Sequence, residues 1–227
     1  MSVGLRIFAN INRPSKELLE RAAKIPVANL DDNMGRIYAV EAAIKPVNSV
    51  SLCGPAFTVK VPSGDNLMFH KAMIMAQEGD VIVISGIGES ERSFCGELML
   101  SYARKKKLGG FVIDGYIRDI DGFRNADFPC YCRGVQPNGP YKNGPGEINV
   151  PVAVGRQVIM PGDILVGDQD GLIVIPQKDA EECIAAGEAT FAKEEGMLQK
   201  WKNGQLEAGD KPWVEEKLAQ LKVPVFE

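Results

Sequence analysis

Two apolar runs in the middle of the chain constrain its fold more than any other feature. Val81-Ile82-Val83-Ile84 and Phe111-Val112-Ile113 are continuous rather than alternating. A strand that is apolar on both faces must be covered on both faces, and strands of a parallel layer read this way. A helical segment precedes each run. NLMFHKAMIMAQEGD is expected to be a helix stopped at Gly79, and CGELMLSYARKKKLGG a helix capped by Gly109 and Gly110. Helix, buried strand, helix, buried strand implies parallel strands joined by crossovers.

The flanks add to this layer. SKELLERAAKIP reads as a helix with Ser15 as its N-cap, Leu18, Leu19 and Ala22 on one face, and Pro26 as its end. SLCGPAFTVKVPSGD alternates from Ala56 to Val61 and reads as a strand. VGRQVIMPGDILVGDQDGLIVIP reads as several short strands with Pro-Gly-Asp and Gln-Asp-Gly turns, a second β layer. Asp168 to Gly171 matches a fragment of a calcium loop, but the pattern stops there and a hairpin turn accounts for it. QKDAEECIAAGEATFAKEEGMLQKW is a long helix, and a polar arm with one short helix, PWVEEKLAQL, follows. The expected organisation is one α/β domain over residues 1–195, which holds the active site, and an arm over 196–227 that packs on a neighbouring subunit. The Gly/Pro/Asn-rich stretch GVQPNGPYKNGPGEINVP is long for a plain connection, which suggests a functional loop or one packed on a partner.

Composition removes several function classes. The 227 residues carry a net charge of −4, so the basic footprint of a nucleic-acid binder is missing. Lys105-Lys106-Lys107 is the one basic run, and at a helix end it complements the helix dipole. No apolar run approaches the roughly 18 residues of a membrane span, and the first residues lack the apolar stretch of a signal peptide. The five cysteines are odd in number and scattered, and Cys130-Tyr-Cys132 lacks the two-residue gap of a zinc knuckle. A reduced, cytoplasmic protein is expected. His70 is the single histidine. A His-rich zinc site within one chain is therefore impossible, and a Ser-His-Asp triad would need His70 without any G-x-S-x-G elbow. A bound metal would have to take oxygen ligands, which selects Mg²⁺, Mn²⁺ or Ca²⁺.

Open α/β layers bind ligands at the C-terminal ends of their strands. Here those ends are Ile84-Ser85-Gly86 and Ile113-Asp114-Gly115, and if the strands are neighbours their loops face each other. One loop leads to a helix start at Gly96-Glu97-Leu98-Met99, whose unpaired N–H groups can hold an anion. Glu97 has two readings: a first-turn acid stabilising the dipole by about 0.3–1 kcal/mol, or an acid that orients a water on a metal while Leu98 and Met99 hold a substrate carboxylate. The other loop carries Arg118-Asp119. A guanidinium is a planar two-toothed partner for a carboxylate, and an aspartate is an oxygen ligand for a hard cation. The pair is either a solvated turn or the two halves of a 2-oxo-acid site. Asp65 suits an N-cap and Asn66 could point into the same cleft. Gly86-Ile87-Gly88 lacks the third glycine of a dinucleotide fingerprint, and nothing around Lys60 or Lys71 marks a Schiff-base lysine.

Taken in order, CGPAFTVKVPSGDNLMFHKA, GDVIVI, GELM, GGFVIDGYIRD, GPGEINVPV and PGDILVGDQDGLIVIP resemble one family, the 4-hydroxy-4-methyl-2-oxoglutarate / 4-carboxy-4-hydroxy-2-oxoadipate aldolases. The regulator of ribonuclease E activity A is in the same family. The resemblance runs from about residue 26 to residue 176, and its specificity lies in the ordered set rather than in any one piece. The long arm is similar to that of the aldolase members. The resemblance implies a layered α/β/β sandwich like the swivelling phosphohistidine domain, assembled as a homotrimer or homohexamer with sites at subunit interfaces. It also implies Mg²⁺ or Mn²⁺, cleavage of 4-hydroxy-2-oxo acids to pyruvate in aromatic compound catabolism, and oxaloacetate decarboxylation.

Carried over residue by residue, Arg118 binds the pyruvyl carboxylate and acts with Glu97 in catalysis, and Asp119 holds the metal. Leu98 and Met99 offer backbone N–H groups. Asn66 is expected to contact substrate from its own place at the strand-to-helix junction. An acidic residue from a neighbouring subunit, Glu194 or Glu195, is implied as well. The chain departs from the family where an acid often follows the metal-binding aspartate by three residues: that position is Gly122, with Asp121 one place early. This leaves open a related lyase on another 2-oxo acid, and a non-catalytic protein that binds ribonuclease E is the alternative from a different class.

Overall fold

The computed structural model describes residues 3–86, 91–205 and 211–224. The chain forms two compact units, residues 1–188 and 189–227.

The first unit opens with β1 (Leu5–Ile7), α1 (Lys16–Ala22), α2 (Val27–Asn33) and β2 (Lys45–Pro46). Then come β3 (Leu52–Lys60), α3 (Leu67–Met75), β4 (Val81–Ser85), β5 (Ser93–Cys95), α4 (Glu97–Lys105), β6 (Gly110–Ile117), α5 (Ile120–Arg124) and β7 (Cys130–Val135). Short strands follow: β8 (Gly146–Ile148), β9 (Val152–Val154), β10 (Gln157–Ile159), β11 (Ile164–Gly167) and β12 (Leu172–Ile175). The long helix α6 (Ala180–Lys202) passes from the first unit into the second, which also holds α7 (Pro212–Leu221). No helix of the described residues is long and apolar enough to cross a membrane.

The sheet runs β1-β8-β3-β4-β6-β7-β2, and β3, β4, β6 and β7 are mutually parallel. The parallel layer expected from the two apolar runs is therefore its centre. All five residues of β4 are buried, and each aliphatic side chain so buried contributes about 1.5–3 kcal/mol relative to exposure. The two faces feed two cores. Ile82, Ile84, Phe111 and Ile113 join Phe69, Met73, Leu100 and Ala103 of the helices α3 and α4. Val81, Val83 and Val112 join Val152, Val154, Leu165 and Val174 of the later strands. Helices, central sheet and second β layer together make the α/β/β arrangement.

Strand β3 links the layers. Its first half pairs antiparallel with β11, Leu52↔Gly167 to Pro55↔Ile164, and its second half parallel with β4, Ala56↔Val81 to Lys60↔Ser85. This corrects the alternating reading of Ala56 to Val61: residues 54–59 are all buried, because a bridging strand is covered on both faces.

Ser15 caps α1 as expected, its hydroxyl accepting from the Leu18 N–H at 3.2 Å. The end of α4 differs from expectation. Gly110 is the first residue of β6 and Gly109 lies just before it, and Lys107 takes the left-handed position with φ 58°. Leu108 then donates to the Ala103 carbonyl at 3.0 Å, closing the helix without a glycine. The Gly/Pro/Asn-rich stretch is shorter as a loop than the sequence suggests, because β8 lies within it and pairs with β1 and β3. Of Gly86-Ile87-Gly88, the last two lie outside the described residues.

Candidate active site

The strand ends meet as expected, and a change of partner sets the geometry. Strand β4 pairs with β6 as far as Ser85↔Asp114. Beyond that level β5 takes its place, with Ser93↔Tyr116 and Cys95↔Ile117. The Arg118 N–H continues the ladder onto the Cys95 carbonyl at 3.0 Å. The start of α4 is thereby laid directly against Arg118 and Asp119, two segments some twenty residues apart in sequence.

At this junction Asp119 Oδ2 accepts the Glu97 N–H at 3.0 Å, so the carboxylate sits on the N-terminus of α4. Arg118 Nε is 3.8 Å from the same oxygen. Asp119 Oδ1 has no partner among the described residues. The approach needs Gly96: a Cβ there would lie 2.3 Å from Asp119 Oδ2 and 3.1 Å from Arg118 Cγ. Asp119 itself holds φ 59° and ψ 46° at the head of α5, a left-handed conformation that non-glycine residues adopt at a cost.

A cleft of about 350 Å³ opens here, lined by Asn66, His70, Gly96, Leu98, Met99, Arg118, Asp119 and Lys142, among others. Arg118 and Asp119 also line a second cleft of about 460 Å³ with Glu97, Asp121 and Gly122. The Arg118-Asp119 pair is thus a wall with Glu97 on one side and Asn66 on the other. A Cβ on Gly122 would stand 3.1 Å from Glu97 Cδ, so the Glu97 carboxylate packs over bare backbone.

The other residues singled out from the sequence are placed as follows. Leu98 carries an N–H with no partner among the described residues, and its side chain is exposed. The Met99 N–H is already directed at the Gly96 carbonyl, 3.1 Å away, so Leu98 offers the open donor of the two. Asn66 is buried, and its amide nitrogen donates to the Phe94 carbonyl at 2.8 Å. That bond fixes the amide orientation and leaves Oδ1 as a buried acceptor without a partner among the described residues. An orphaned acceptor costs about 1–3 kcal/mol, which a ligand hydroxyl would offset. Asp65 is not the N-cap expected from the sequence: Asn66 holds that position, and Asp65, one residue earlier, accepts from the Leu67 N–H at 2.9 Å in a turn that leads into α3. Glu194 and Glu195 lie on α6 within the second unit.

Sequence reasoning missed Lys142, in the loop of residues 136–145. That loop is tied down from several sides. Asp65 Oδ2 accepts from Asn143 and Gly144, the Asn66 N–H donates to the Tyr141 carbonyl, and the Tyr141 N–H donates to the Gly64 carbonyl. Arg92 donates to the Gly139 carbonyl and lies over the Tyr141 ring, 4.0 Å from its centroid. The only signal in the sequence was the unusual length of that stretch.

His70 is half-buried, one turn beyond Asn66 on α3. Burial, and then the charge of Lys142, hold its imidazole below the usual range. Cys95 at the cleft floor is pushed well above the ordinary thiol range by burial and stays protonated. All five cysteines are free.

Among the described residues no group of three or more His, Cys, Asp or Glu side chains is arranged to hold a metal ion. One free carboxylate oxygen on Asp119 nevertheless fits a hard cation. Mg²⁺ keeps several waters and is held by one or two carboxylates together with oxygens of its substrate.

An RraA-like family model, Aldolase/RraA, matches residues 27–174. A protein of Halalkalibacterium halodurans, provisionally named 4-hydroxy-4-methyl-2-oxoglutarate aldolase, is 41% identical over 172 residues, 75% of this chain and 82% of that protein. A solved structure from Pseudomonas syringae pv. tomato, of an uncharacterized protein, superposes with a TM-score of 0.77 at 26% identity, covering 86% of this chain and 96% of the other. The RNA-processing inhibitor RraA from Thermus thermophilis superposes with a TM-score of 0.62 at 25% identity, covering 66% of this chain and 92% of the other.

Proposed function

Because the chain belongs to the Aldolase/RraA family, we propose that it is a divalent-metal-dependent lyase acting on 4-hydroxy-2-oxo acids. The substrates would be of the 4-hydroxy-4-methyl-2-oxoglutarate or 4-carboxy-4-hydroxy-2-oxoadipate type, with pyruvate as a product and oxaloacetate decarboxylation as a side activity. The observation that carries the reading is the meeting of three features in one cleft: Arg118, Asp119 on the N-terminus of α4, and the orphaned Oδ1 of Asn66.

Arg118 takes the carboxylate next to the 2-oxo group as a planar two-toothed donor, and the Leu98 N–H adds a third bond. Asp119 would hold Mg²⁺ or Mn²⁺, which when bound supplies Lewis-acid polarisation of the 2-oxo group. Asn66 Oδ1 accepts from the C4 hydroxyl and orients it, and the hydroxyl proton passes to a water in the cleft as C4 becomes a carbonyl. The C3–C4 bond then breaks, and the electron pair moves into the 2-oxo-acid fragment as the enolate of pyruvate. Arg118 carries the charge that develops there. A water held by Glu97 and Arg118 returns a proton to C3. Loss of CO₂ from oxaloacetate gives the same enolate, so the same residues serve both reactions.

The test is pyruvate release from 4-hydroxy-2-oxo acids and oxaloacetate, measured with Mg²⁺ or Mn²⁺, after EDTA, and after metal is restored. Turnover that EDTA leaves untouched would overturn the metal assignment. The reading also carries an assembly: a homotrimer or homohexamer in which Glu194 or Glu195 of one subunit completes a neighbour's site. Light scattering measures the mass, and Glu194→Gln and Glu195→Gln test the contribution. The structural likeness to the RNA-processing inhibitor favours a second reading, a non-catalytic regulator that binds ribonuclease E. Capture of purified ribonuclease E by a chain that releases no pyruvate would favour it.

A further inference from the structure

We infer that Phe94 is a positioning residue for aldol cleavage: its ring, wedged against Gly86 and Gly115, sets the carbonyl that orients the Asn66 amide; this rests on the 2-oxo-acid reading above.

Packing supports it first. Phe94 is the middle residue of β5 and is fully buried. Its ring lies on two bare stretches of backbone. A Cβ on Gly86 would stand 2.1 Å from Phe94 Cζ, and one on Gly115 would stand 2.4 Å from Cε2. Non-bonded carbons do not approach so closely, so any larger residue at either glycine must move the ring. Both glycines stand where the sheet changes partner. Gly86 follows the last residue of β4, and Gly115 lies one residue beyond the Ser85↔Asp114 pair. At the next level β5 joins β6, with Ser93↔Tyr116. The ring thus occupies the point at which β4 gives way to β5.

Connection supports it second. The Phe94 carbonyl accepts from Asn66 Nδ2 at 2.8 Å. Met99 Sδ, a weak acceptor, is 3.6 Å from the same nitrogen. Holding the nitrogen is what leaves Asn66 Oδ1 as the open acceptor. The neighbours of Phe94 are tied down. The Ser93 N–H and hydroxyl donate to the Asn138 carbonyl at 2.8 and 2.9 Å, and the Cys95 carbonyl accepts from the Arg118 N–H at 3.0 Å. A displaced ring cannot be absorbed by β5 sliding along β6. The shift passes to the Phe94 carbonyl and from there to Asn66.

Chemistry makes this role separable from plain stability. Asn66 Oδ1 is placed at the C4 hydroxyl, which 4-hydroxy-2-oxo acids carry and oxaloacetate lacks. A shift of Asn66 slows aldol cleavage and spares decarboxylation, whereas a loosened Arg118 or Asp119 slows both.

The experiment measures kcat for pyruvate release by the full chain with Mg²⁺, from 4-hydroxy-4-methyl-2-oxoglutarate and from oxaloacetate. The readout is the ratio of the two. Phe94→Leu should lower the ratio about 10- to 100-fold, the loss expected from misplacing one group by about an ångström. Gly115→Ala leaves Phe94 in place and presses on the same ring, and should lower the ratio about tenfold. Circular dichroism checks that each variant is folded. In an Asn66→Ala background neither substitution should lower the ratio further, because residues acting through one contact are not additive. Equal losses on both substrates, or a further fall of the ratio without the Asn66 amide, overturn the inference alone. If the wild type releases no pyruvate from either substrate, the 2-oxo-acid reading fails and the inference falls with it.

Discussion

Strand β6 and the two residues after it carry two acid–arginine constellations, their acids five positions apart, that are built in opposite ways. At Asp114 everything is matched. One carboxylate oxygen takes Arg133 Nε, and the other takes the Gly155 N–H at 3.1 Å. Arg133 also donates to Glu41 at 2.9 Å, and Glu41 is 3.3 Å from Arg156. The Asp114 and Arg133 side chains are 9% and 20% exposed. At Arg118-Asp119 the two groups stand 3.8 Å apart, 45% and 47% exposed, with one carboxylate oxygen unused and a backbone dihedral of the kind that costs energy. Matched charges tie β6, β7 and the second β layer together and have no capacity left for a ligand. Unmatched charges contribute little to the fold and keep that capacity.

The contrast can be broken at either end. Asp119→Asn keeps the backbone tolerance and removes the charge. Metal-dependent pyruvate release should fall by at least about 1000-fold, beyond the usual loss for a single oxyanion donor, while the urea midpoint stays put. Retained turnover would place the metal elsewhere. For Arg133→Met the order of effects reverses: stability should drop by roughly 3 kcal/mol in urea unfolding, because buried Asp114 loses its partner, while kcat of the folded fraction is kept. Arg118→Lys should lower kcat/KM about 100-fold with an unchanged unfolding curve, since an ammonium cannot supply the planar fork. Gly96→Ala sharpens the comparison further. Its methyl would press on Asp119 Oδ2, and a displacement of that size costs about 10- to 100-fold in turnover. Asp121→Asn is expected to do least. Its pair with Arg124 is long, at 3.8 Å, and exposed, and such pairs contribute under about 1 kcal/mol.

Much of the fold was legible because burial on two faces leaves a continuous apolar run. Val81 to Ile84 and Phe111 to Ile113 identify the parallel centre, and Ser15 identifies a helix start, from local chemistry alone. Features that depend on partners far along the chain were not legible. The alternating sequence of β3 concealed its burial on both faces, which arises because β11 joins one half of the strand and β4 the other. Lys107 ends α4 in a conformation that local propensity would assign to glycine. In the site, Arg118, Asp119 and Glu97 could be named from residue type and strand ends. Their shared oxygen, Asp119 Oδ2, could not, since it follows from β5 replacing β4 beside β6. Lys142 was invisible because what fixes it is Asp65, nearly eighty residues away.

The left-handed backbone at Asp119 also bears on how such a chain can change over time. Few residues sit comfortably at that φ: glycine, asparagine and aspartate. Among these only aspartate is an anion, and each of the other two is one base change from it. Both substitutions would leave the chain folded and take away the carboxylate proposed to hold a cation. A lineage could therefore abandon chemistry in a single step, keep a stable scaffold, and have that scaffold free for other uses.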